Sequence, residues 1–125
     1  MPTIEYHSAR PYAEIVPRHE VRDAAKRDDI ARRMTVHGWV GRPVLALQYA
    51  DGSLVALTGS HRIDAASLAD VRVEVMAVAG LDDDAVAAVC DSDDEDALRG
   101  ALVAAQCPQE ALDLMATEIA HSNAE

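Results

Sequence analysis

Phenylalanine is absent from this chain of 125 residues, which holds one tryptophan and three tyrosines. Its core must therefore be built from Val, Leu, Ile, Met and Ala, and alanine-rich cores bring helices close together. Cysteine is scarce too. Cys90 and Cys107 form no CxxC, so neither a zinc knuckle nor a disulfide framework is expected, and both read as plain buried thiols of a reducing compartment. No apolar run approaches the roughly 18 residues of a membrane span. The opening Met-Pro-Thr-Ile-Glu-Tyr has neither a basic flank nor an apolar h-region, so a cytoplasmic protein is expected. His7, His19, His37 and His121 lack any HExxH-type spacing, and no metal site made by the protein alone is expected.

Basic residues are missing from one region in particular. Residues 1 to 80 carry ten bases and ten acids, whereas residues 81 to 125 carry twelve acids and a single base, Arg99. The net charge of −11 thus sits wholly in the C-terminal third. An acidic surface repels nucleic-acid phosphates and gains nothing from releasing their counterions, which argues against a nucleic-acid partner. It keeps a small domain soluble, and it also suits a basic protein partner.

The length fits one domain with a modest core. Residues 1 to 20 hold Pro2, Pro11 and Pro17 and read as short extended pieces and turns. Residues 28 to 37 predict a helix capped by Asp28, with Ile30, Ala31 and Met34 inward, stopped by Gly38. Two strand-like runs then flank Asp51-Gly52, a pair suited to the positive φ angles of a tight hairpin. A helix from Ser60 and an alternating strand, Val71 to Met76, follow. Beyond residue 80 three helices are predicted: one over "DDDAVAAVC", one with a Ser92/Glu95 capping box, and one from Pro108 with Leu112, Met115 and Ile119 inward. The division expected is a mixed unit over 1–80 and an acidic helical extension over 81–125, packed on or beside it.

The chemistry concentrates at Gly59-Ser60-His61-Arg62. A helix start leaves up to four N–H groups without partners and carries partial positive charge, so it receives phosphate readily. Gly59 allows close backbone approach, Arg62 can fork two donors onto phosphate oxygens, and Ser60 and His61 add further donors. The structural alternative is an ordinary helix cap made by Ser60, with an exposed His and Arg on the first turn.

The order of elements resembles the N-terminal domain of the ParB/sulfiredoxin superfamily: helix, Gly38, Pro43-Val44 strand, Asp51-Gly52 turn, strand, Gly59-x-x-Arg62, Ala65-Ala66, final strand from Val71. The likeness covers residues 10 to 80. It implies an α/β (α+β) fold, a small mixed sheet with helices, here followed by a C-terminal helical extension. It also implies a nucleotide (ATP, ADP or CTP), with or without Mg2+, whose phosphates bind Gly59, Ser60, His61 and Arg62. Family activities diverge. Sulfiredoxins look like Gly-Cys-His-Arg at this loop; Ser60 replaces the cysteine, so sulfinic-acid reduction is not expected. ParB proteins carry a DNA-reading helical domain that an acidic tail of this length does not match. The free-serine kinases have an Asp where Thr58 stands, yet His61-Arg62 fits them, and Glu20 stands where their upstream base does. NTP hydrolysis or phosphoryl transfer would then use Glu20 and His61 as catalytic residues, with Glu14 as an alternative base and Arg18, Arg22, Lys26, Arg27, Arg32 and Arg33 nearby in sequence. The competing reading is a non-catalytic ligand-sensing or interaction module, whose C-terminal helices bind a protein partner or a second copy.

Overall fold

The computed structural model describes residues 2–17, 23–92 and 95–124. It is a mixed α/β structure: a five-stranded sheet with α-helices on both faces. The strands are β1 (Thr3–Arg10), β2 (Ile15–Pro17), β3 (Val44–Gln48), β4 (Leu54–Ala56) and β5 (Val73–Ala79). The helices are α1 (Ala24–His37), α2 (Ser60–Ala69), α3 (Asp83–Cys90), α4 (Glu95–Ala104) and α5 (Gln109–Ala124), and a 3-10 turn spans Tyr12–Glu14. In space the strands run β1-β5-β3-β4-β2. The pairs β1/β5 and β3/β4 are antiparallel, and β5/β3 and β4/β2 are parallel.

The period-2 geometry of strands sorts the core into two halves. Val44 and Ala46 of β3, Leu54 and Ala56 of β4, and Val73, Val75 and Ala77 of β5 face α1 and α2, where Ile30, Met34, Ile63, Ala65 and Ala66 are buried. Leu45, Leu47, Val55, Leu57 and Val78 face the other way, against Val86, Val89, Leu98, Leu102, Ala111 and Met115 of α3–α5. Every residue from Val44 to Leu47 is at 0 % exposure, so β3 shows no polar alternation because both of its faces are covered. The acids of α3 that the structure describes, Asp83 and Asp84, stand on its exposed side.

Several local expectations are corrected. α1 begins at Ala24, not Asp28, because Asp23 is the cap: its carboxylate accepts from the Lys26 N–H at 3.0 Å. Asp28 instead pairs with Arg27 at 3.0 Å. The β3–β4 connection is wider than a two-residue hairpin. Tyr49 N–H donates to the Ser53 carbonyl at 2.9 Å, and Gly52 N–H donates to the Tyr49 carbonyl at 3.0 Å. Only Gly52 of the turn pair has positive φ, at 91°. Asp51 closes the loop by accepting from Ser53 N–H at 2.9 Å and Ser53 Oγ at 2.6 Å. The Ser92/Glu95 capping box lies outside the described residues, because it depends on the 93–95 segment. Ser92 Oγ donates back to the Ala88 carbonyl of α3 at 3.2 Å, and α4 starts at Glu95. In α5 the buried pair is Ala111 and Met115, Leu112 is half-buried, and Ile119 lies outside the described side chains.

Candidate functional site

The mouth of α2 is built by three chain segments. β4 ends at Ala56; just beyond it the Leu57 N–H donates to the Leu45 carbonyl at 2.7 Å, and Thr58 Oγ1 then accepts from the Leu45 N–H at 3.0 Å. Thr58 thus closes the strand pair. The chain turns at Gly59 in the left-handed region, φ 77° and ψ 28°, and Ser60 is already the first helical residue. The cap is therefore Gly59 and not Ser60, and no side chain serves as its capping acceptor. Ile63 N–H closes the first turn on the Gly59 carbonyl at 2.8 Å. The N–H groups of Ser60 and His61 precede that bond, at the helix start where intrahelical carbonyl partners run out.

Only glycine fits at position 59. A Cβ there would stand 2.5 Å from Val44 Cγ1, 3.3 Å from Arg62 Nη2 and 3.5 Å from Arg62 Nε. The Arg62 guanidinium accordingly lies back over the helix mouth, beside the Gly59 backbone. It is held there by the second segment, Gly38 to Pro43. Arg62 Nη1 donates to the Arg42 carbonyl, and the guanidinium carbon lies 5.2 Å from the centroid of the Trp39 ring. Trp39 Nε1 donates to the same carbonyl at 3.3 Å. Gly41, at φ 84°, leaves room for this approach, since a Cβ would come within 3.1 Å of Arg62 Nη1. A cation over an indole face is worth about 0.5–1 kcal/mol at an exposed site, enough to bias one rotamer of a long side chain.

The third segment is the start of α1. Asp23 N–H donates to His61 Nε2 at 3.2 Å, which joins the capping residue of one helix to the first turn of the next. One turn further along each helix, Arg27 Nη1 and Asp64 Oδ2 pair at 3.0 Å. Asp64 and Asp28 together raise the pKa of Arg27, chiefly through the hydrogen bonds it donates to them. Two helix N-termini, each with partial positive charge, thus meet around His61.

Of the residues singled out in the sequence, Gly59, Ser60, His61 and Arg62 stand together at this mouth. Glu20, like Arg18 and Arg22, lies outside the described residues. Glu14 sits in the 3-10 turn and pairs with Arg10 at 3.2 Å. Arg27 is committed to Asp28 and Asp64, and Arg32 and Arg33 both pair with Asp29. Trp39, the Arg42 carbonyl and Asp23 escaped the sequence reading. Trp39 carried the one usable signal: the sole tryptophan of an aromatic-poor chain, placed directly after a helix-stopping glycine.

Among the described residues no three or more His, Cys, Asp or Glu side chains gather as a metal site, and no helix is long and apolar enough to cross a membrane. The donors at the mouth are N–H groups and a guanidinium, a set that fits phosphate oxygens. Of the described carboxylates beside it, Asp23 accepts from the Lys26 N–H and Asp64 pairs with Arg27.

A scan against protein-family models finds no match for this chain. A search of the curated proteins finds no similar sequence.

Proposed function

We propose that this protein binds a nucleotide (ATP, ADP or CTP, with any Mg2+ carried by the phosphates) at the Gly59–Arg62 mouth of α2. The observation that carries this reading is the placement of Arg62. Its guanidinium is held across the helix start by Trp39 and the Arg42 carbonyl, beside the glycine that admits a close ligand. An incoming phosphate would meet three things at once: the N–H groups of Ser60 and His61, the positive ends of two helices, and a guanidinium already oriented. Pre-ordering that side chain reduces the entropy lost on binding. The ParB/sulfiredoxin likeness of residues 10 to 80 points the same way.

Hydrolysis or phosphoryl transfer to a small acceptor is the further step this reading allows, with Glu20 as the base and His61 and Arg62 on the transferred charge. The bond from Asp23 N–H to His61 Nε2 favours a second reading, a ligand-sensing module without turnover. It occupies one of the two ring nitrogens in holding α1 against α2, and leaves only Nδ1 for a substrate.

A thermal-shift panel of ATP, ADP, CTP and GTP, with and without magnesium, tests binding. A ligand held only by the folded state stabilises it by about 2.7 kcal/mol at a hundred-fold excess over Kd, so at least one nucleotide should raise the melting temperature. A flat response across the panel contradicts the proposal. Product formation with the binding nucleotide, reduced about 10²-fold or more by Glu20→Gln while binding persists, separates the enzyme from the sensor.

A further inference from the structure

The two edges of the sheet are built differently. At one end β2 is three residues long and finishes on Pro17, which has no N–H to offer a neighbouring strand. At the other end β1 runs for eight residues, the longest strand of the sheet, and pairs only with β5. Its outer side leaves backbone N–H and C=O groups with no strand neighbour among the described residues, a template for one more strand.

The side chains of β1 identify the strand that fits. Alternation places Glu5 and His7 on the α1/α2 face, His7 opposite Val75 of that core. Ile4 packs into the other core, and Tyr6 lies on that same opposite face, where its hydroxyl donates to Glu74 Oε1 at 2.7 Å. Tyr6 is nonetheless 54 % exposed, a large ring fixed at its tip and wet on its flank.

Two copies of β1 meeting around a twofold axis perpendicular to the sheet run antiparallel and keep like faces together. Three registers lie near the centre of the strand. Centred on Glu5, a carboxylate opposes itself, which is destabilising. Centred on His7, imidazole opposes imidazole and Ile4 meets Arg10 across the register shift between His7 and Arg10. Centred on Tyr6, each Glu5 opposes the His7 of the other copy, and the two Tyr6 rings meet on the axis, where aromatic pairs contribute about 0.5–1.5 kcal/mol beyond the area they bury.

We infer that a second copy of this chain adds to the free edge of β1, antiparallel and centred on Tyr6, so that one sheet runs through a homodimer. The occupant is a second copy because the strand is complementary to itself in this register, and such an isologous contact closes after two subunits. The inference stands independently of the nucleotide reading.

Light scattering over a dilution series of the full chain reads the mass directly. The expected particle has twice the monomer mass of 13.4 kDa, and 13.4 kDa at every concentration overturns the inference. Mild oxidation then reads the register. Tyr6→Cys sets two thiols face to face and gives a disulfide-linked dimer. Ser8→Cys, set opposite Ile4, does not, and the parent with Cys90 and Cys107 gives the background. A dimer in which Tyr6→Cys stays unlinked overturns the edge and the register. If Tyr6→Cys loses its fold by circular dichroism, the exposed Glu5→Lys decides: it should weaken the dimer at least ten-fold, and an unchanged dimer overturns the inference.

Discussion

The N–H of Asp23, the residue that caps α1, donates to Nε2 of His61 in the first turn of α2. Nε2 can accept only while it is unprotonated, so the ring proton of this neutral imidazole resides on Nδ1. The contact ties the starts of two helices that also pack through Ile30, Met34, Ile63 and Ala66, with Arg27–Asp64 as a second clasp. His61 therefore positions the site, and any ligand it serves is met by Nδ1–H. His61→Ala should lower stability by about 0.5–1.5 kcal/mol, the net worth of a typical hydrogen bond. Urea unfolding of the two proteins checks it.

Arg62→Ala should weaken nucleotide binding by about 1.5–3 kcal/mol, the range for hydrogen bonds to charged groups. That is about ten-fold or more in Kd. Arg62→Lys should recover only part of it, because an ammonium lacks the planar fork and stacks less well on Trp39. Isothermal titration of the three proteins reads these values, and Trp39 fluorescence should change with ligand in the parent.

Gly59→Ala and Gly52→Ala both place a side chain at positive φ, 77° and 91°. At Gly52 no atom lies within 4 Å of the added Cβ, so only the left-handed conformation is penalised, by about 1–2 kcal/mol. At Gly59 the added carbon also collides with Val44 in the core. The Gly59 variant should be clearly the less stable of the two in chemical denaturation; equal stabilities would refute the geometry of this turn.

Much of this architecture is legible from residue order, and the misses share a physical cause. Helical spacing exposes α2, α3 and α5, and alternation exposes β5, because each buries one stripe or one face. β3 is buried on both sides, so its register depends on partners far away in sequence. β1 is hidden between Pro2 and Pro11, where an edge strand tolerates polar residues that a periodicity test rejects. The Gly59–Arg62 run is readable because it is contiguous. Trp39, Arg42 and Asp23 reach it through tertiary contacts that no local pattern encodes.

Removal of residues beyond Gly80 would expose Leu45, Leu47, Val55, Leu57 and Val78 to water. The truncated chain should lose cooperative unfolding and bind hydrophobic dyes. Within the full chain, Met115→Ala, at a site with 0 % exposure, should cost about 2–5 kcal/mol. A smooth thermal transition from the 1–80 fragment would show that the sheet does not need α3–α5.

The Asp51 carboxyl is held below its ordinary 3.8, chiefly by the Ser53 hydroxyl and then by the Ser53 N–H. Because the folded value is depressed, the loop's stabilisation is complete above pH 3.8 and is lost as pH falls through the folded value. A carbon-13 titration of Asp51 should give a midpoint under 3.8, and Ser53→Ala should move it upward.

The claim that phosphates dock at the mouth of α2 is tested most directly by amide chemical shifts during titration with ATP, ADP or CTP. The account predicts saturable shifts of Gly59, Ser60, His61 and Arg62 N–H and of the Trp39 indole N–H, abolished in Arg62→Ala. Shifts confined to other surfaces, or none with any nucleotide, would contradict it.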